Sequence, residues 1–183
     1  GLKLRDGRFS VTTQPDGQFA LSGAISSGKG ALRFDGTAST AGHARIDVQG
    51  QQFLAADIPG ARVLIDPKLQ FTRDAERMSL QGDVRIPSAN IDLQKLPRSQ
   101  SSTKISSDVV VVDAQTQQQE AQSEAMPLQA AVQVTLGENV VLAGFGLDAK
   151  VTGQLLVREA PGAPTTGSGE VRVAGTYKAY GQD

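Results

Sequence analysis

The stretch LQAAVQVTLGENVVLAGFGLDAKVTGQLLV, residues 128–157, decides the fold of this chain. Residues 128–136 alternate apolar side chains with polar or small ones, and residues 147–157 repeat the alternation. A period of two places successive side chains on opposite faces of a β-strand. Residues 137–139, Gly-Glu-Asn, are of types that are common in turns. The glycines on both sides of Phe145 indicate a kink or a close approach between backbones. The stretch therefore predicts three successive strands that share one apolar face.

The same pattern recurs along the rest of the chain, most clearly at residues 78–86, where Met, Leu, Gly, Val and Ile alternate with polar residues. Turn-forming residues interrupt these alternations at a spacing that is typical of all-β proteins. The predicted turns include Asp6-Gly7, residues 14–17, residues 26–30, Pro67 and Pro87. We therefore predict an all-β fold of about thirteen strands in up-and-down order.

Residues 98–127 differ in character, because they are rich in Ser, Gln, Glu and Ala and contain only a short apolar run. Such a segment cannot offset the entropy lost on ordering. We predict a flexible polar loop at 98–127. It separates an N-terminal strand block, 1–97, from a C-terminal strand block, 128–183, of the same sheet.

Composition excludes several classes of protein. The formal net charge of −1 argues against a nucleic-acid-binding protein, since binding to phosphates needs a strong basic excess. The absence of Cys removes disulfides and thiolate metal sites. No apolar run approaches the roughly 20 residues of a membrane-spanning helix. Because the chain starts at Gly1 without a signal peptide, we expect it to be a fragment of a longer protein.

No motif in the sequence predicts catalysis. His43 is the only histidine, and the sequence contains no nucleophile elbow, so a Ser-His-Asp arrangement cannot be argued. The small and polar residues around His43 favour a solvated role for its side chain. Gly144-Phe145-Gly146 lacks the third glycine and the helix of a dinucleotide-binding turn. Asp83, Asp92 and Asp148 lie on the polar phase of their strands, where ion pairing or solubility explains them. We therefore expect a protein that is not an enzyme, with no catalytic residues, no cofactor and no metal.

Residues 132–153, VQVTLGENVVLAGFGLDAKVTG, resemble the C-terminal domain of the TamB family, which carries a run of the form V-x-L-G-[DE]-x-V-x-L-x-G-x-G-L-D-A-x-[LV]-x-G. A second match is residues 169–183, GEVRVAGTYKAYGQD, and residues 82–91 and 107–110 are also similar. The matching residues of the first run are Leu136, Gly137, Glu138, Val140, Leu142, Gly144, Gly146, Leu147, Asp148, Ala149, Val151 and Gly153. Neither match is a catalytic signature.

This resemblance implies a protein of the Gram-negative periplasm whose full-length form is anchored in the inner membrane. The implied partner is the periplasmic part of TamA, a BamA-like protein of the outer membrane. The implied fold is a β-taco, a curled open sheet that forms a half-pipe with an aliphatic concave face. The implied role is a conduit that shields phospholipid acyl chains between the two membranes. About thirteen strands at ~4.7 Å spacing would make this trough roughly 60 Å long.

On the pattern alone, an alternating aliphatic face more often packs against a second sheet than lines a groove. With the resemblance, the same side chains are expected to line the hydrophobic groove of such a half-pipe. The predicted groove residues are Leu80, Val84, Ile86, Ile91, Leu128, Val132, Val134, Leu136, Leu147, Val151, Leu155, Val157, Val171 and Val173. Three alternatives remain open at this point. The groove serves as a chaperone or scaffold for outer-membrane β-barrel proteins or autotransporters, the face is sealed in a β-sandwich, or the chain is a fragment of an outer-membrane barrel. The last is disfavoured because aromatic girdles are lacking.

Overall fold

The computed structural model describes residues 2–97 and 127–178, which form eight strands and no helix. The strands are β1 (Leu4–Thr13), β2 (Gln18–Ser39), β3 (Ala44–Ile58), β4 (Ala61–Arg73), β5 (Met78–Asp92), β6 (Leu128–Gly144), β7 (Leu147–Glu159) and β8 (Thr166–Tyr177). They build one open sheet in which the spatial order of the strands equals their order in the sequence. The predicted all-β fold with a curled open sheet is confirmed.

The strands are not straight, as β2 shows most clearly. Gly23 and Phe34 lie eleven positions apart on this strand, which would separate them by about 36 Å if it were fully extended. The phenyl ring of Phe34 nevertheless occupies the place where a Cβ atom on Gly23 would lie. The strand therefore folds back on itself. Its register shifts between Gly28 and Ala31, and Gly28 has a φ of 65°.

The bend continues across the sheet as a crease. Every ladder from β2–β3 to β6–β7 carries a register shift near mid-strand, and each shift lies beside the next. Such β-bulges bend a strand and increase its local twist. The crease divides the sheet into two walls. Wall 1 contains residues 32–38, 44–50, 67–73, 78–86, 128–136, 153–159 and 166–171, and wall 2 contains the other arms of these strands together with β1.

The crease is also the hydrophobic core. The apolar side chains that are buried within the described ranges are Phe53, Leu54, Ala89, Val140 and Ala149. Ala89 lies directly opposite Val140 in the β5–β6 ladder, just past the register shift. Close packing is thus concentrated where the two walls meet, while the walls themselves remain half-exposed on their apolar side.

Side chains complete the hydrogen bonds that the bulges interrupt. The fully buried Ser27 hydroxyl donates to the carbonyl of Leu54 at 2.9 Å. The backbone N–H of Gln52, a residue with a φ of 49°, donates to Asp66 Oδ1 at 2.6 Å. A buried carbonyl such as that of Leu54 requires a partner, so the Ser27 hydroxyl stabilises the bend. Gln52 is exposed, and its bond to Asp66 replaces a ladder hydrogen bond that the register shift interrupts.

Several predicted turns are bends within strands, and these predictions were wrong. Residues 26–30, Pro67, Pro87 and residues 137–139 all lie at the crease, and Asp6-Gly7 lies at a bulge inside β1. Glycine can adopt positive φ and proline has no backbone N–H to pair, so both residues occur at sharp bends within strands as well as in turns. Two arms of one bent strand therefore look like two strands in the sequence. The described residues contain eight strands, and at ~4.7 Å spacing they span about 33 Å rather than 60 Å.

The predicted up-and-down order also fails at one position, because β5 and β6 are parallel. Six of the seven ladders are antiparallel. Parallel neighbours require a long connection that returns the chain to the starting side of the sheet. Residues 93–127 provide that length, and the two predicted blocks contribute β1–β5 and β6–β8. Apart from Pro127, the predicted loop at 98–127 lies outside the described residues.

Candidate functional site

The candidate site is the concave face of the creased sheet, which we call the trough. Its apolar side chains stand in register across the strands, so that they form continuous rows instead of isolated patches. One row of wall 1 contains Phe34, Val48, Leu69, Gly82, Val132 and Val157. The neighbouring row contains Pro67, Val84, Val134, Leu155 and Gly169.

The structure brings the predicted groove residues together on this face. In wall 1, Leu80 lies opposite Ala130, Leu128 opposite Met78, and Ile86 opposite Leu136. In wall 2, Ile91 lies opposite Leu142, Leu147 opposite Tyr177, and Val151 opposite Val173. Val171 follows Leu136 and Gly153 across the sheet. All of these predicted residues are half-buried except Val171 and Val173, which are exposed on the edge strand β8.

The trough also contains residues that the sequence prediction did not include. Leu32 and Phe34 on β2, Ile46 and Val48 on β3, and Leu69 and Phe71 on β4 extend the same apolar rows. Their alternation was visible in the sequence. What was missing was the pairing register, which alone shows that they share a face with β5–β7.

The outer face of the same strands is polar. Arg33, Gln49, Lys68, Asp83 and Gln133 follow one another in register across five strands. Nearby on this face, the Gln70 amide donates to Asp47 Oδ1 at 2.8 Å. The single sheet therefore has one polar face and one apolar face. Within residues 2–97 and 127–178, no second layer covers the apolar face.

The charged groups described here lie on the outer face or at the rims of the sheet and not in the apolar rows that line the trough. Asp92 at the end of β5 accepts a hydrogen bond from Lys95 Nζ at 2.8 Å and another from the Gln94 N–H at 3.1 Å. The hydrogen bond from Lys95 is the main cause that lowers the pKa of the Asp92 carboxyl. His43 is exposed in the β2–β3 turn, where its N–H lies 3.3 Å from Ser39 Oγ. The described part of the chain contains no cluster of His, Cys, Asp and Glu that could hold a metal ion.

The lining of the trough mixes large side chains with glycines. Large side chains, Phe34, Ile46, Leu69 and Phe71, line it on β2–β4. On β7 and β8 the corresponding positions include Gly153, Gly167, Gly169 and Gly175, each in register with the apolar rows. Gly36, Gly50 and Gly82 lie in the same rows on β2, β3 and β5, and Leu155 and Tyr177 lie on β7 and β8, so both sizes occur along the whole trough.

Comparison with known proteins gives the family. A model of the TamB C-terminal domain matches residues 9–183, nearly the whole chain. This chain belongs to the TamB family. The family is that of the translocation and assembly module, in which it is associated with TamA, and it places the protein in the envelope of a Gram-negative bacterium. No solved structure matches the chain.

The TamB-like run in residues 132–153 has a structural explanation in this domain. Phe145 and Gly146, with φ values of 52° and 88°, form the two-residue turn between β6 and β7. Both central residues of such a hairpin turn need positive φ. A Cβ on Gly144 would lie 3.1 Å from the backbone N of Leu93, so the predicted close approach of backbones is confirmed. The glycines of the TamB-like run therefore allow the tight turn of the β6–β7 hairpin.

The TamB domain has two free strand edges in the part of the chain that the structure describes. β1 lies at one edge and β8 at the other. β1 is irregular, with a bulge between Arg5 and Arg8 and a φ of 53° at Asp6. β8 pairs with β7 over twelve residues without a register shift. None of the described residues lies in a helix that is long and apolar enough to cross a membrane.

Proposed function

We propose that the trough of this TamB domain shields phospholipid acyl chains and forms one segment of a lipid conduit between the inner and outer membranes. The observation that carries this proposal is the continuous apolar face, which stays half-exposed on a single open sheet. A soluble domain seldom leaves so large an apolar surface uncovered unless something binds there. No enzymatic step is part of the proposed function.

The energetics suit acyl chains. Each CH₂ group removed from water gains about 0.8 kcal/mol, so a chain of about sixteen carbons gains roughly 12 kcal/mol on full burial. Rows of Val, Leu and Ile provide that environment without a deep pocket that would fix one lipid in place. The open side between the two walls leaves head groups in water, where their charge is solvated.

The proposed partner is the periplasmic part of TamA, and β8 is the proposed contact. A long, regular, unpaired strand is a template for the addition of another strand. Regular pairing along β8 and the bulge in β1 favour β8 over β1 for this role. We propose that this domain belongs to a longer protein that is anchored in the inner membrane.

The partner proposal can be tested with single cysteines, because the chain contains none. We expect Val173→Cys on β8 to cross-link to the purified periplasmic domains of TamA, and Val11→Cys on β1 to remain uncross-linked. Both side chains are exposed, at 60% and 65%, so the two positions are matched in access. Equal cross-linking at the two edges would contradict the assignment.

A second candidate function is a scaffold for outer-membrane β-barrel proteins. The free β8 edge favours it, because a client strand could pair there and place its apolar side chains in the trough. Mass spectrometry of the purified domain tests the two functions against each other. A lipid conduit predicts co-purified phospholipid that an amphipathic β-hairpin peptide does not displace. A scaffold predicts that the peptide binds and that phospholipid is absent.

A further inference from the structure

A groove of about 820 Å³, which we call the outer groove, opens on the outer face of the sheet beside the crease. Arg33, Gln49 and Lys68 line it, and they follow one another in register on the polar face of β2, β3 and β4. Arg85 of β5 lines it as well, and the small side chain of Ala31 contributes to its floor. The outer groove therefore crosses four strands on the side of the sheet that faces away from the trough.

The lining of the outer groove is cationic. Four basic residues, Lys29, Arg33, Lys68 and Arg85, line it together with a single carboxylate, that of Asp66. All four basic residues are exposed. The whole chain is balanced by contrast, with 18 basic and 19 acidic residues. A groove lined by one sign of charge concentrates ligands of the opposite sign.

The charges of these four basic residues are not neutralised by ion pairs within the described ranges. The ion pairs found there join Arg45 to Asp47, Arg62 to Asp57, Lys95 to Asp92 and Arg172 to Glu170. Asp66 lies opposite Arg85 in the β4–β5 ladder, but its Oδ1 accepts the Gln52 N–H at the bulge. Asp83, opposite Lys68, flanks the outer groove without lining it. The guanidinium and ammonium groups are therefore available to a ligand.

The size and position of the outer groove favour an extended acidic segment of a protein. Strands β2–β5 span about 14 Å, so one small anion would reach only part of the cationic lining. Alternate side chains of an extended peptide point to one side about 6.6 Å apart, and carboxylates at every second position match that span. A phospholipid head group bound here would leave its acyl chains in water, because the apolar rows lie on the opposite face.

We propose that the outer groove binds an extended acidic segment of a partner protein. Arg33 and Arg85 each hold one carboxylate through paired hydrogen bonds, which the planar guanidinium group favours. Lys29 and Lys68 add point charges, and the Gln49 amide donates to a peptide carbonyl. This surface lies outside the trough, so the proposal does not depend on lipid binding.

Fluorescence anisotropy with a defined probe tests the proposal. The probe is a fluorescein-labelled octapeptide of alternating Glu and Thr, and the control peptide carries Gln in place of every Glu. We expect the unaltered domain to bind the Glu peptide at least about tenfold more tightly than the Gln peptide at low salt. Because the groups are exposed, raising the salt concentration from about 0.05 M to about 0.5 M should remove most of this difference.

Two variants remove single guanidinium groups from the outer groove. Arg33→Gln and Arg85→Gln should each weaken binding of the Glu peptide at least about fivefold. Arg158→Gln is the matched control, because Arg158 is also exposed on the outer face of wall 1, opposite Ala131, but does not line the groove. This control should bind the Glu peptide like the unaltered domain. Far-UV circular dichroism confirms that all three variants fold.

Three results would overturn the proposal. The first is equal affinity for the Glu and Gln peptides, and the second is an equal loss of affinity in Arg158→Gln and Arg85→Gln. The third is binding to phosphatidylglycerol vesicles that Arg33→Gln and Arg85→Gln abolish, without binding of the peptide, which would assign the outer groove to a membrane surface. The phospholipid content of the trough is measured separately, so none of these results decides the proposed lipid-binding function.

Discussion

The double variant Val134→Glu, Leu155→Glu is expected to lose its co-purified phospholipid at least about tenfold, a change that needs only about 1.4 kcal/mol. The two residues lie opposite each other on β6 and β7, in the middle of wall 1. A carboxylate placed among acyl chains loses its hydration, which costs several kcal/mol unless a partner compensates it. The lining that these residues share offers no such partner.

The matched control is Thr135→Glu, Gln154→Glu. These residues form the adjacent opposing pair on the same two strands, and they point to the outer face. Both double variants place like charges opposite each other, so the repulsion between strands is similar in the two proteins. Val134 and Leu155 are half-buried rather than buried, so without lipid the introduced carboxylates still reach water.

We therefore expect the two double variants to unfold at similar urea concentrations and to differ in lipid content. In cells that depend on the full-length protein, only the trough variant should fail to complement. Retention of phospholipid by Val134→Glu, Leu155→Glu at the unaltered level, or equal loss from both variants, would show that the trough is not the lipid-binding face.

The variant Gly82→Ala is expected to lower the stability of the domain clearly. Gly82 lies mid-strand on β5 with a φ of 133°, a conformation that is open almost only to glycine. Its Cβ would overlap the Lys68 carbonyl oxygen and lie 3.0 Å from the Leu69 Cα, and both are backbone atoms that cannot swing away. Backbone strain alone costs about 1–3 kcal/mol, and displacement of β4 adds to it.

The position of β5 increases the consequence. This strand pairs with β4 on one side and with β6 on the other, and so it joins the two blocks of the sheet. Gly167→Ala on β8 is the control, because a Cβ there meets open space and its φ is not in the left-handed region. Urea unfolding should show a clear drop in midpoint for Gly82→Ala and almost no change for Gly167→Ala. Equal midpoints would mean that the backbone of β5 adapts without cost.

The sequence predicted faces better than it predicted strand ends. Alternation depends only on which residues follow one another, so the apolar phase at 78–86 and 128–136 could be assigned before the pairing was known. Bends were predicted as turns at residues 137–139 and at Pro67, because glycine and proline occur in both bulges and turns. A bulge and a hairpin differ in whether the chain reverses, and that depends on the neighbouring strands.

The parallel pairing of β5 with β6 and the contact between Phe9 and Phe34 could not be predicted from the sequence, for a different reason. The parallel pairing of β5 with β6 depends on the path of a connection that carries no signal of direction. The contact between Phe9 and Phe34 depends on the angle of the crease, which is set jointly by bulges in neighbouring strands. Gly23 looked like an ordinary small residue in an alternation, and only the folded strand shows that it faces the ring of Phe34.

Photo-crosslinking in living cells tests the central claim most directly. A benzophenone amino acid at position 134 of the full-length protein faces the trough, whereas the same group at position 135 faces outward on the same strand. The account predicts phospholipid adducts at 134 and none at 135. Adducts with polypeptide in place of phospholipid at 134, or phospholipid at both positions to the same extent, would contradict it.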